Sequence, residues 1–380
     1  MRFTDIVGAP MHCTLMKLYT NQGLVGFGEV RDGASKTYAL ALKGRLLGEN
    51  PCNVDRLFRR VKQFGGHGRQ GGGVSAVEVA LWDLAGKAYG VPVYQLLGGK
   101  FRDSIRMYCD TDAREKGSGA SMGRALAERL ETGFSFLKMD LGIGLLHDVP
   151  NALSAPLGLL EEFRRAGQAF RDADPANDLE FRARRSRWYA LNNVAHPHTG
   201  IHLTERGLDV LEQYMSEVRG VIGYEAPLAV DHIGHIGVED CIRLAKRLEP
   251  YSPAWLEDPV PWQLTEHYAR VSNATTVPVC TGEDIYLKEG FRPLLEAGGV
   301  SVVHPDVLTA GGILETKKIG DEAQDRGSAM AIHMAESPVG CLAAVHAAAA
   351  TENFLALEYH SADVPWWQDI VVGLPKPLVQ

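Results

Sequence analysis

Three short stretches decide the fold: APLAVD at 226–231, AWLED at 254–258 and VPVCTGED at 277–284. Each is a brief β-forming run that ends in an acid. Asp231 to Glu257 is 26 residues, and Glu257 to Glu283 is 26 again. Further along the chain the rhythm continues, with Asp306 after 23 residues, His333 after 27 and Glu358 after 25. Upstream, further β-rich runs stand at 105–109 and 134–141, and downstream at 300–307, 328–333 and 354–359. Each is followed by a helical stretch. Eight such units in about 250 residues predict a (β/α)8 barrel of the TIM type. One polar group per unit, at the carboxyl end of its strand, places all six around one mouth, the face that carries chemistry in this architecture.

The first hundred residues read differently. Residues 13–20 and 24–30 form a hairpin around Asn21-Gln22-Gly23. A helix follows, with Ser75 and Glu78 spaced as a capping box and Gly90 at its end. The Gly-rich stretch 65–73 lacks the Gly-Lys-Ser/Thr ending of a phosphate loop and is expected to be a mobile loop. The expected fold is therefore α/β: a modified barrel at 106–359 with an α+β capping domain at 1–105, to which 360–380 returns. Lys138 to Asp231 spans 93 residues. That is about 65 more than one βα unit needs. The excess, at about 142–205, is expected to be an insertion on the catalytic face, acting as a lid or subunit contact. Within it, the arginines of 182–187 are expected on a solvated helix face or in intersubunit salt bridges. His196, His198 and His202 are expected in loops.

Composition narrows the function. Hydrophobic residues are 45% and charged residues 23%, as in soluble globular chains. The net charge of −8, with no basic block, argues against nucleic acid or anionic membrane as partners. No apolar run reaches membrane-spanning length and the N-terminus lacks a signal-peptide pattern, so a cytoplasmic location is expected. Six scattered cysteines fit neither a zinc site nor a disulfide scaffold and are expected to be buried small hydrophobes.

Asp231, Glu257 and Glu283 are hard oxygen donors. Converging without a cation they would repel one another, so a hard metal such as Mg²⁺ is expected there. His333 is the candidate proton-transfer group, and Asp306 the acid that orients its imidazole. Lys138 and Asp140 share one side of their strand. A buried Lys138 needs an anion, either Asp140 or a substrate carboxylate. Glu358 completes the ring as a substrate contact. A metal opposite a His base fits abstraction of the proton α to a carboxylate, giving an enediolate.

These residues carry a resemblance. Lys138-Met139-Asp140, Asp231, Glu257-Asp258-Pro259, Gly282-Glu283-Asp284, Asp306, His333 and Leu357-Glu358 resemble the mandelate racemase-like subgroup of the enolase superfamily over nearly the whole chain. The resemblance implies one Mg²⁺ on Asp231, Glu257 and Glu283, a His333–Asp306 acid/base dyad, and Glu358 against substrate. It also implies a homo-oligomer. Two departures matter. The muconate-lactonizing subgroup carries a Lys where this chain has Asp306. The racemases carry a second Lys where this chain has Asp140. One strong base on one face suits dehydration of a sugar acid, with loss of the 3-hydroxyl. Racemization of a 2-hydroxy acid, and a non-catalytic binding protein on the same scaffold, are the alternatives. The leaving-group acid is open between His333 and a histidine after the third strand, His232 or His235.

Overall fold

The computed structural model describes residues 1–8, 11–174, 178–192, 200–231 and 236–379. In chain order the strands are β1 (Arg2–Gly8), β2 (Met11–Tyr19), β3 (Val25–Val30), β4 (Met107–Thr111), β5 (Leu137–Asp140), β6 (Leu153–Ser154), β7 (His202–Leu203), β8 (Leu228–Asp231), β9 (Leu256–Glu257), β10 (Val279–Thr281), β11 (Val302–Val303), β12 (Ala329–Ile332) and β13 (Phe354–Tyr359). The helices are α1 (Lys36–Ala41), α2 (Val54–Val61), α3 (Gly72–Tyr89), α4 (Val93–Leu96), α5 (Gly119–Glu131), α6 (Leu159–Arg171), α7 (Asp178–Asn192), α8 (Glu205–Ile222), α9 (Val238–Leu248), α10 (Thr265–Ala274), α11 (Lys288–Glu296), α12 (Ile313–Gln324) and α13 (Pro338–Ala349). Eight strands close into a barrel in the order β4-β5-β8-β9-β10-β11-β12-β13. The eight expected strands are these eight: six are shortened at their ends, β13 keeps the expected bounds, and β4 is shifted two residues toward the C-terminus. None of the described helices is long and apolar enough to cross a membrane. Of the six cysteines, five are buried and Cys52 is half-buried, and all are free thiols.

The chain forms two compact units. The first comprises Met1–Asp110, Thr281–Glu296 and Ser301–Gln380. Its antiparallel sheet runs β1-β2-β3, one strand more than the hairpin read from the sequence. Helix α3 packs on β3, and glycine makes this possible: a Cβ at Gly28 would stand 2.1 Å from the carbonyl of Ala76. The Gly-rich stretch is not a loop throughout. Gly68–Gly71 is a 3₁₀ turn, and Gly72 and Gly73 open α3, buried against Arg31 and Ala39.

The capping box also needs correcting. Helix α3 begins at Gly72, so Ser75 and Glu78 lie inside it, and both are buried. Ser75 Oγ donates to Gly71 O and accepts from Gly311 N, each at 3.0 Å. Glu78 accepts from Ile313 N at 2.7 Å, Leu314 N at 3.1 Å and Trp82 Nε1 at 2.7 Å. It therefore caps α12, whose first amides have no acceptor within their own helix. Glu29 on β3 does the same for α13, accepting from Ser337 N at 3.1 Å and Gly340 N at 3.0 Å.

The second unit comprises Thr111–Cys280 and Ala297–Val300. Strands β5, β8, β9 and β10 pair in parallel, with Asp140 opposite Asp231, Val230 opposite Leu256 and Cys280 opposite Glu257. The excess between β5 and α8 is a helical hairpin of α6 and α7. A two-residue antiparallel ladder, Leu153 opposite Leu203 and Ser154 opposite His202, ties its base. Phe163 and Trp188 meet edge-on at 6.4 Å between the two helices. Two arginines of the run serve this hairpin: Arg187 pairs with Glu162 at 2.6 Å, and Arg184 pairs with Glu180 and donates to Ala169 O at 3.0 Å. His202 is not a loop residue. It lies in β7 with Nδ1 3.0 Å from Asp240. His196 and His198 lie outside the described residues.

Candidate active site

In the second unit, β5, β8 and β9 bring three polar groups to their carboxyl ends. Lys138 Nζ is 2.9 Å from Asp231 Oδ2 and 2.7 Å from Glu257 Oε1. The side chains of Lys138 and Glu257 are only 2% and 1% exposed. Trp255 Nε1 fixes the other oxygen of Glu257 at 2.8 Å. A buried ammonium is stable only beside anions, and here two carboxylates share it, leaving negative charge in excess. The donors are all oxygen, the set that selects a hard cation. Asp140, at the end of β5, is exposed. Its charge reaches Tyr214, whose phenol is pushed up to about 12 by burial first and then by Asp140.

The first unit holds the remaining residues. Asp306 and His333 face each other in an isolated parallel bridge, and Nδ1 of His333 is 2.7 Å from Asp306 Oδ2. The second Asp306 oxygen accepts from the amides of Leu308 and Thr309 at 2.6 and 3.2 Å. An ionized Asp306 can only accept, so Nδ1 carries its proton toward it and Nε2 is the nitrogen turned away from Asp306. That nitrogen is 2.9 Å from Glu283 Oε2 and 3.8 Å from Glu358 Oε2. Burial lowers the pKa of His333, but Glu283, Glu358 and Asp306 outweigh it and raise it well above the usual range.

Behind the dyad stands Arg31, the residue after β3, with a side chain 0% exposed. Its Nη1 is 2.9 Å from Asp306, donates to Thr309 Oγ1 at 2.8 Å and to the Glu283 carbonyl at 3.0 Å. Glu283 and Glu336 carboxylates lie 3.6 and 3.8 Å from the same guanidinium. Burial would push Asp306 up, yet Arg31 and His333 prevail and hold it at about 2. Glu336, equally buried, goes the other way: burial and then Asp306 raise it well above the carboxylate range.

Glu358, on β13, is fully buried among three imidazoles. His360 Nε2 is 3.1 Å away, His304 Nε2 3.6 Å and His333 Nε2 3.8 Å. Tyr108 OH meets His304 Nε2 at 2.6 Å, and His360 Nδ1 is 3.5 Å from Asp110. Sequence reasoning missed Arg31, Glu336, His304 and His360. His360 carried a signal, since it lies two residues beyond Glu358 on the same side of the chain. Arg31 carried none, because its partners are more than 250 residues away. His232 and His235, proposed from sequence as leaving-group acids, lie outside the described residues.

Residues 189–378 match the enolase C-terminal domain-like family, and residues 9–98 match the mandelate racemase/muconate lactonizing enzyme N-terminal domain. The chain belongs to the enolase superfamily. Within it, the mandelate racemase-like subgroup is the one it resembles in sequence and fold. It is 34% identical over 377 residues to a D-xylonate dehydratase of Haloferax volcanii, covering 97% of this chain and 80% of that relative. It is 28% identical to a D-galactonate dehydratase of Ralstonia pickettii, over 89% of this chain and 75% of the relative. The crystal structure of a mandelate racemase/muconate lactonizing enzyme-like protein from Rubrobacter xylanophilus superposes with a TM-score of 0.77 at 30% identity. That match covers 97% of this chain and 88% of the other. This superfamily member is an enzyme of the hydro-lyase type.

Proposed function

We propose that this enzyme is a Mg²⁺-dependent dehydratase of a sugar acid. The observation that carries the reading is the His333 imidazole, held at 2.7 Å by an Asp306 that Arg31 keeps ionized. Such a dyad cycles one proton at Nε2. His333 removes the proton α to the substrate carboxylate, and the enediolate so formed expels the 3-hydroxyl. Asp231, Glu257 and Glu283 close consecutive barrel strands and are assigned as the Mg²⁺ ligands. The Lys138 ammonium already seated on Asp231 and Glu257 supports a pocket built for positive charge. Held by these residues, Mg²⁺ would supply positive charge against the substrate carboxylate. Lys138 and Glu358 are assigned to substrate. In the same reading, 1–105 is a capping domain and 106–359 the barrel. D-Xylonate and D-galactonate are the first substrates to try, because the named relatives dehydrate them.

The test is a panel of aldonates and aldarates assayed for 2-keto-3-deoxy acid, with Mg²⁺ and with EDTA. Formation of that product from one member, lost in EDTA and restored by Mg²⁺, is the expected result. Epimerization at C2 without keto acid would overturn the dehydratase reading in favor of a racemase. In parallel, Mg²⁺ should raise the thermal midpoint of the wild type but not of Asp231→Asn/Glu257→Gln.

A further inference from the structure

Dehydration needs a second proton transfer, because hydroxide is a poor leaving group until it is protonated. The residues of the dyad account for the first transfer only. In the first unit, Glu358 bridges two imidazoles, 3.8 Å from Nε2 of His333 and 3.1 Å from Nε2 of His360. The two rings lie 5.7 Å apart, center to center. Each ring has its own aspartate on Nδ1: Asp306 for His333 at 2.7 Å, Asp110 for His360 at 3.5 Å. His333 is almost wholly buried, whereas the His360 side chain is 31% exposed.

We propose that His360 is the acid that protonates the departing 3-hydroxyl, and that Glu358 returns the proton between the two histidines. The proposal rests on the dehydratase reading above. In the step, His333 Nε2 takes the C2 proton. The C–H electron pair is held first in the enediolate and becomes the C2–C3 double bond as that enediolate collapses and the C3–O bond breaks. The oxygen leaves with that bond pair and the His360 Nε2 proton, as water. The enol then tautomerizes to the 2-keto-3-deoxy acid with no net exchange of protons with the protein. His333 now holds one proton too many and His360 one too few, and the Glu358 carboxylate lies between them, 3.8 Å from the first nitrogen and 3.1 Å from the second. Carboxylates on both sides of His360, Glu358 on β13 and Asp110 on β4, favor its charged form before transfer. Burial and the neighboring His333 oppose that, but the pKa of His360 is still raised. Two rings on adjacent strands reach adjacent carbons from one side, so the elimination is syn.

The experiment uses full-length His360→Asn and His360→Gln with Mg²⁺, checked for fold by circular dichroism. The probes are D-xylonate and 3-deoxy-3-fluoro-D-xylonate, and for the wild type the whole aldonate panel. Fluoride leaves without a proton. The variants should lose about 100-fold or more in water elimination, yet exchange the C2 proton in D₂O and release fluoride within about threefold of wild type. Asp110→Asn, which keeps the imidazole, should show the same split in smaller measure. Water elimination by the His360 variants at wild-type rate would assign both transfers to His333 and overturn the proposal. So would equal loss of dehydration, exchange and fluoride release, which would make His360 merely structural. A wild type inert toward every panel member overturns the dehydratase reading itself, and this proposal with it.

Discussion

Replacing Arg31 with leucine removes the arginine that pairs with Asp306 of the dyad. The side chain is 0% exposed, so no water takes over its role. Asp306 would keep its two amide donors and His333 but lose a cation at 2.9 Å. Breaking a buried ion pair from one side costs about 3–5 kcal/mol. An independent floor comes from linkage. Asp306 sits at about 2 against an ordinary 3.8. A shift of that size is about 2–3 kcal/mol of stability. Burial pushes the other way, and Arg31 is the largest of the groups that outweigh it, with His333 next. The sign is that of a depressed carboxylate: the stabilization is complete above about pH 4 and is lost as pH falls toward 2. In the leucine variant this acid limb should move to higher pH. Urea unfolding followed by far-UV circular dichroism, at pH 7 and at intervals down to pH 3, measures both effects. Dehydration should fall together with stability, and Arg31→Lys should lie between. A leucine variant within about 1 kcal/mol of wild type at pH 7, with an unmoved acid limb, would refute the reasoning.

Three further outcomes follow from the same geometry. His333→Asn should cost at least about 100-fold in turnover while circular dichroism and the Mg²⁺-induced thermal shift stay as in wild type. Gly312→Ala should destabilize by about 2–4 kcal/mol in urea, through left-handed strain and loss of the α12 cap: at φ 99°, its Cβ would stand 1.9 Å from Glu78 Oε2. Only one C2 epimer of the substrate should exchange its α proton in D₂O, because Asp140, where racemases place a lysine, is a weak base.

The barrel was legible because its signal is local. Each βα unit repeats a short apolar run and ends in a polar residue, so Asp231, Glu257, Glu283, Asp306, His333 and Glu358 announced their strands by spacing alone. Misreadings arose where a side chain serves a distant element. Ser75 and Glu78 have the spacing of a local cap, but the free amides they satisfy belong to residues 311–314. Within the hundred residues that precede the barrel, Arg31 looks like any arginine after a strand. Its meaning comes from Asp306 and Thr309, and no periodicity encodes a contact of that range. Lys138 was half legible: its need for an anion could be argued, but its position on Asp231 and Glu257 depends on strand register.

The first unit is assembled from the two ends of the coding order. Arg31 leaves the ribosome 275 residues ahead of Asp306. At ordinary synthesis rates that is a wait of about 15 to 55 seconds. During this interval Glu29, Arg31 and Glu78 lack the partners that residues 306–340 supply in the finished fold. The base and its guanidinium can therefore come together only when translation is nearly done. A chain cut short before residue 306 cannot carry a weakened version of this activity, because it carries none. A premature stop before residue 306 should act as an on/off event, with specific activity per intact chain unchanged.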